Sequence, residues 1–175
     1  MIISEKELED MIFNADREEL ENRGLWMPKN LRRQVRIGNY GIADIVGFER
    51  GCMAKGYQSN STIYVYELKK DEIDISTFMQ SIRYAKGITS YFRHKKYLNL
   101  NISIVLIGGT INMASDFLYL PDILSCEDIN LELYTYSLNF NGIFFKSHYG
   151  YGLRDEGFNI KAKPISNKDF DFTDF

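Results

Sequence analysis

The chain has 175 residues, 45% hydrophobic and 26% charged, a balance that suits one folded domain with a sizeable core and excludes a disordered or low-complexity chain. No apolar run reaches the length of a membrane span, because Asn and Ser interrupt the richest stretch, Ile102 to Ile107. The net charge of −3 is uneven: residues 1–21 hold two basic against eight acidic side chains and residues 165–175 one against three, so the middle of the chain is net basic and could meet a phosphate backbone.

The first element is a helix. Ser4 can cap it, with Glu7 as its capping-box partner, and Ile3 with Leu8 fits a hydrophobic staple. Leu8, Met11 and Ile12 mark one buried face, and the helix is expected to run toward Leu20 and stop near Gly24. Trp26 to Asn30 reads as a loop. Leu31 to Ile37 reads as an arginine-rich strand, followed by a turn at Gly38-Asn39 and a second strand from Gly41 to Phe48. Glu49 to Ser61 is polar and reads as a hairpin loop before a third strand, Thr62 to Lys69. Ser76 to about Arg93 reads as a helix with Phe78, Ile82 and Ala85 inward. Ile102 to Ile107 is a continuous apolar run, as expected of a strand covered on both faces. Asp116 to Leu124 reads as a short helix. Leu131 to Phe140 and Ile143 to Ser147 read as a hairpin, with Asn141-Gly142 suiting a type I′ turn. The order predicts an α/β domain over residues 1–165, a central mixed β-sheet flanked by helices, with a flexible acidic, aromatic tail over 166–175.

The chemistry concentrates in two segments, Gly41-Ile-Ala-Asp-Ile-Val-Gly47 and Tyr64-Val-Tyr-Glu-Leu-Lys-Lys70. Residues two apart on a strand share a face, so Glu67 and Lys69 project together while Leu68 points the other way. Asp44 lies in an otherwise apolar strand, where a lone carboxylate is costly to bury. Two carboxylates at the ends of adjacent strands supply oxygen ligands suited to Mg²⁺. Phosphodiester hydrolysis needs an activated water and charge neutralisation, which bound magnesium supplies and a neighbouring lysine assists. A strand Glu-x-Lys pair also occurs on solvated faces; the apolar flanks of Asp44 favour the catalytic reading.

Asp44, then Glu67-Leu68-Lys69 after a hairpin loop, a glutamate-bearing helix before them and a helix with Gln80-Ser-Ile-Arg-Tyr84 after them together resemble the PD-(D/E)XK nuclease superfamily, the restriction-endonuclease-like fold. The Gln80-x-x-x-Tyr84 spacing resembles the motif of its RecB-type branch. The first helix, Ser4-Glu-Lys-Glu-Leu-Glu-Asp-Met-Ile12, is similar to that of the catalytic domain of archaeal and actinobacterial mismatch-related endonucleases. The likeness covers residues 4–92. The chain is expected to carry no DNA-binding domain ahead of the helix, and it departs in Ala43 where the family name has proline. The resemblance implies a Mg²⁺-dependent DNA endonuclease, with Mn²⁺ able to substitute, and catalytic residues Asp44, Glu67, Lys69, Glu5, Gln80 and Tyr84. It implies a metal held by Asp44, Glu67, the Leu68 carbonyl and Glu5, the last directly or through water, with Glu9 second because Glu7 is taken by the cap. Tyr84 also reads as a core aromatic with a satisfied hydroxyl.

Arg32, Arg33 and Arg36 before Asp44, and Arg83, Lys86, Arg93, Lys95 and Lys96 on or after the second helix, are the expected DNA contacts, with Tyr91, Phe92 and Tyr97 placed to stack on unpaired bases. Solvated helix ends look the same in sequence. His94 and His148 read as surface residues. Two cysteines, Cys52 and Cys126, far apart, argue against a zinc site and fit a reducing, cytoplasmic setting, in a bacterial or phage-encoded protein. The N-terminus shows no secretion signal. A homodimer and a protein partner held by the C-terminal tail stay open. So does a non-catalytic nuclease-fold protein that binds nucleic acid or a partner, although a self-repelling acidic cluster has little use without metal. No sequence feature separates single-stranded, mismatched, branched or specific duplex substrates.

Overall fold

The computed structural model describes residues 3–51, 53–54, 57–58, 60–95, 100–112 and 129–148. The helix expected over Asp116 to Leu124, both cysteines, Lys96, Tyr97 and the tail from 166 onward lie outside them. In chain order the elements are α1 (Glu5–Asn14), α2 (Arg17–Asn22), β1 (Asn30–Arg36), β2 (Ile42–Glu49), β3 (Met53–Ala54), β4 (Tyr57–Gln58), β5 (Ser61–Leu68), β6 (Glu72–Ile73), α3 (Ile75–His94), β7 (Leu100–Gly108), β8 (Thr110–Ile111), β9 (Ile129–Asn139) and β10 (Gly142–Ser147).

Six strands form a central sheet in the order β1-β2-β5-β7-β9-β10. The centre is parallel, β5 with β7 and β7 with β9, while β1, β2 and β10 add antiparallel strands at the edges. Parallel neighbours need a crossover, and α3 provides it between β5 and β7. One face of the sheet packs against α3 through Val65, Ala85, Ile88, Ile104 and Leu106. The other packs against α1 and α2 through Leu8, Ile12, Leu20, Ile45, Tyr66 and Ile107. Strand β7 is buried on both faces, as its unbroken apolar run requires. The expected fold class, a mixed α/β sheet flanked by helices, is therefore what forms.

Four local expectations need correction. The N-terminal helix is two helices, because Asp16 accepts hydrogen bonds from the N–H groups of Glu18 and Glu19 and caps a new one. Asp16 and Glu19 carry the same cap spacing as Ser4 and Glu7. Met11 is 40% exposed rather than buried, since only Leu8, Glu9 and Ile12 of α1 meet the sheet. The β9–β10 hairpin pairs Asn139 with Gly142, and only Gly142, at φ +106°, enters the left-handed region, so the turn is centred on Phe140 and Asn141 and is not type I′. The stretch from Glu49 to Ser61 is not all loop, because β3 and β4 form a short antiparallel pair within it.

Two glycines bring α3 close to the β1–β2 hairpin. Gly41 has φ +129°, and a side chain there would meet the Tyr84 ring at 2.6 Å. A Cβ at Gly87 would come within 2.7 Å of Ile37 and Tyr40. Without this close approach Tyr84 and Gln80 would stand further from β2.

Candidate active site

The sheet opens at Asp44. Pairing between β2 and β5 stops at Ile45 with Tyr66, and pairing between β1 and β2 skips the position opposite Asp44. The Asp44 carboxylate replaces part of the missing ladder, its Oδ2 accepting from the Leu68 N–H at 2.8 Å. Beyond that point β5 is held on its other side, where the Lys69 N–H donates to the Ile107 carbonyl at 2.8 Å.

Glu67 is the centre of the cluster and is only 1% exposed. Its Oε1 accepts from Lys69 Nζ at 3.0 Å and from Gln80 Nε2 at 2.7 Å. Gln80 Nε2 also donates to the Tyr84 hydroxyl at 2.7 Å. The four-residue spacing on α3 places Gln80 and Tyr84 on one face, and Thr77, capped by Asp74, sets the phase of that helix. Glu67 Oε2 has no hydrogen-bond partner, although it is buried.

The electrostatics follow from that packing. Burial, and then the Asp44 carboxylate, push the Glu67 carboxyl up to about 7, against the pull of Lys69. Burial also raises Asp44, against the Leu68 N–H bond and Lys69, which lower it, while Glu9 and Glu5 add to the rise. Burial alone would lower Lys69, but Glu67, Glu5 and Asp44 outweigh it and hold the amine protonated. Burial raises Tyr84 as well, and the nearby Glu67 and Asp44 charges reinforce it.

The structure thus brings together Asp44, Glu67, Lys69, Gln80 and Tyr84. Glu5 is exposed in the first turn of α1, and its charge acts on Asp44, Glu67 and Lys69. Glu7 is occupied by the cap, where its Oε2 accepts from the Ser4 N–H and hydroxyl at 2.8 Å. Glu9 is buried and has both oxygens engaged, by Arg33 Nε at 2.6 Å and Gln34 Nε2 at 2.7 Å. Among the described residues, no three His, Cys, Asp or Glu side chains converge as a ready cation cage. The close acidic donors are the pair Asp44 and Glu67.

The expected DNA contacts divide. Arg32 and Arg36 are exposed on the edge strand β1, and Arg83, Lys86, Arg93 and Lys95 are exposed on or beside α3. Arg33 is committed to ion pairs with Glu9 and Asp10 and lies over the Phe13 ring. Lys96 lies outside the described residues. His94 is exposed, and His148 shares a 2.7 Å hydrogen bond with Thr135. Lys29, Arg32, Phe48 and Phe92 line a groove of about 580 Å³ between β1 and α3.

No family model and no curated protein matches this chain. Among solved structures it is similar to the crystal structure of a repair endonuclease from Pyrococcus abyssi. The match has 22% sequence identity and a TM-score of 0.44, covering 75% of this chain and 46% of that one. The chain therefore spans less than half of that protein's length. No helix among the described residues is long and apolar enough to cross a membrane.

Two residues absent from the sequence reading belong to the neighbourhood. Tyr136 on β9 donates its hydroxyl to the Lys70 carbonyl at 2.6 Å, pinning the segment that carries Lys69. Alternation along a strand marks Tyr136 only as facing one side, with no sign of its partner. Gln34 carries no sequence signal at all; its backbone conformation identifies it.

Proposed function

We propose that the protein is a divalent-metal-dependent DNA endonuclease of the PD-(D/E)XK type, hydrolysing phosphodiester bonds with Asp44, Glu67 and Lys69. The observation that carries this reading is the Glu67 carboxylate. One oxygen is saturated by Lys69 and Gln80, while the other is buried with no protein donor, beside a second raised carboxyl at Asp44. A purely structural glutamate in such a place costs stability, because an unpaired buried oxygen and a neighbouring like charge both disfavour it.

The residues present fit magnesium. Mg²⁺ takes hard oxygen ligands and is held by one or two carboxylates while keeping several waters. Asp44, Glu67 and the Leu68 carbonyl would hold it, with Glu5 reaching it directly or through water; Mn²⁺ suits the same oxygens. The chemistry such an ion supplies when bound is a water of lowered pKa and neutralisation of charge on the phosphate oxygens.

The chain's own residues have separable tasks. The Leu68 N–H fixes the rotamer of Asp44, and Gln80 fixes that of Glu67, so neither carboxylate has to reorganise when substrate arrives. Lys69 is held protonated by its neighbours, so it orients water and stabilises developing negative charge rather than abstracting a proton. Tyr84, 3% exposed in the core beneath α3, accepts from Gln80 through its hydroxyl and so helps hold Gln80 against Glu67. The exposed arginines and lysines of β1 and α3 contact the phosphate backbone on either side.

The test is a cleavage assay on labelled single-stranded, mismatched, branched and plain duplex DNA, with Mg²⁺, with Mn²⁺ and with chelator. Metal-dependent cleavage that disappears in Glu67→Gln supports the reading. Cleavage that persists in chelator, or in Glu67→Gln, rejects this site.

A further inference from the structure

Gln34 has the only positive φ among the described non-glycine residues, +51°. It lies within β1, where extended backbone is needed to continue the ladder. Pairing registers the kink: Arg33 faces Ile45 and Val35 faces Ala43, but the pair between them, Gln34 with Asp44, is missing. Backbone conformations of this kind persist where the surroundings over-determine them, and they cluster at functional sites.

The kink has a geometric consequence. In a regular strand, neighbours 33 and 34 point to opposite faces. Here both reach one carboxylate, Arg33 Nε at 2.6 Å from Glu9 Oε1 and Gln34 Nε2 at 2.7 Å from Glu9 Oε2. Arg33 also pairs with Asp10 at 2.7 Å. Glu9 is 5% exposed, so each of its oxygens needs a donor. Glu5 lies one helical turn before Glu9, on the same side of α1.

We propose that Gln34 is a positioning residue: with Arg33 it clamps Glu9, sets the rotation of α1, and so holds Glu5 over the Asp44–Glu67 pair. Its effect on turnover rests on the nuclease reading; the clamp itself does not. Arg33 alone would grip α1 at Asp10 and at one Glu9 oxygen, and leave the Glu9 carboxylate free to turn about that oxygen. The second donor, available only through the left-handed backbone, removes that freedom.

The test uses Gln34→Gly in the full chain. Glycine adopts the left-handed conformation without strain but carries no amide, so relief of strain and loss of the hydrogen bond oppose one another in stability. The unfolding midpoint should stay within a few degrees of wild type, by roughly that cancellation. Amide exchange in α1 from Leu8 to Asn14 should quicken by about tenfold while α3 and β7 are unchanged. In Mg²⁺, kcat should fall by about tenfold or more with KM within about twofold, since the groups that bind substrate are intact and only placement has changed. Unchanged exchange in α1 overturns the clamp. Faster exchange with unaltered kcat overturns the positioning role. A wild-type protein that cleaves nothing with any divalent metal defeats the nuclease reading instead, and α1 exchange then decides the clamp by itself.

Discussion

Replacing Glu67 with glutamine should stabilise the metal-free protein at neutral pH while abolishing catalysis. Glu67 is raised from its ordinary 4.5 to about 7 by burial and by Asp44. A carboxyl raised on folding costs nothing below pH 4.5, where both states are protonated. The cost grows as pH rises, because the unfolded chain ionises first, and it is complete above about pH 7. At 1.36 kcal/mol per unit, the shift corresponds to ~3 kcal/mol of stability absent from the wild type at pH 8. Glutamine keeps the shape and can still accept from Lys69 and Gln80, but it carries no charge to desolvate. The attraction of Lys69, 3.0 Å away, is already contained in that shift, since it lowers the Glu67 value against burial. The assay is urea unfolding of both proteins in chelator at several pH values between 4.5 and 8. The variant's advantage should be near zero at pH 4.5 and approach ~3 kcal/mol at pH 8, roughly 6–12 °C in Tm. Added Mg²⁺ should restore the wild type and do little for the variant, because only the wild type offers both carboxylates. An advantage of constant size across that pH range would refute the account of Glu67 as a buried, destabilised carboxyl.

Asp44→Ala and Lys69→Ala should each reduce cleavage to background with the fold retained, checked by assay beside circular dichroism. For Asp44→Ala, the unpartnered Leu68 N–H costs about 1–3 kcal/mol, offset by removal of a buried carboxyl. Tyr136→Phe should lower kcat with a stability loss of about 1 kcal/mol, the value of its hydrogen bond to the Lys70 carbonyl, and wild-type kcat would remove Tyr136 from the site's support. Charge reversal of Arg83, Lys86 and Arg93 together should weaken DNA binding and flatten the dependence of log affinity on log salt by roughly 0.9 for each phosphate no longer neutralised. An unaltered slope would exclude the α3 face from phosphate binding.

Much of the fold was legible because its signals are local. The Ser4–Glu7 cap, the apolar run of β7, and the β-branched and aromatic residues of β5 depend on neighbours in sequence, and all three elements stand in the structure. The errors arose where two local signals competed. Asp16 is both a residue of a plausible long helix and a good cap, and capping won. Met11 fits the apolar spacing of α1, but the buried face of the helix is Leu8, Glu9 and Ile12, with the charged Glu9 taking the place the apolar pattern assigned to Met11. In the β9–β10 turn, Asn141-Gly142 fits type I′ by composition, while strand pairing places the turn one residue earlier.

The candidates for the site are legible in the chain alone, Asp44, Glu67 and Lys69 by residue type and spacing, Gln80 and Tyr84 by the resemblance of their segment to a known motif. How they act on one another is settled by folding. The opening of the ladder at Asp44, the Gln80 hydrogen bond to Glu67, and the commitment of Arg33 and Gln34 to Glu9 all join residues more than ten positions apart, and the isolation of the other Glu67 oxygen follows from burial. Burial, like-charge proximity and a strained φ are properties of packing, set by which surfaces meet, and no pattern within a single strand or helix encodes them.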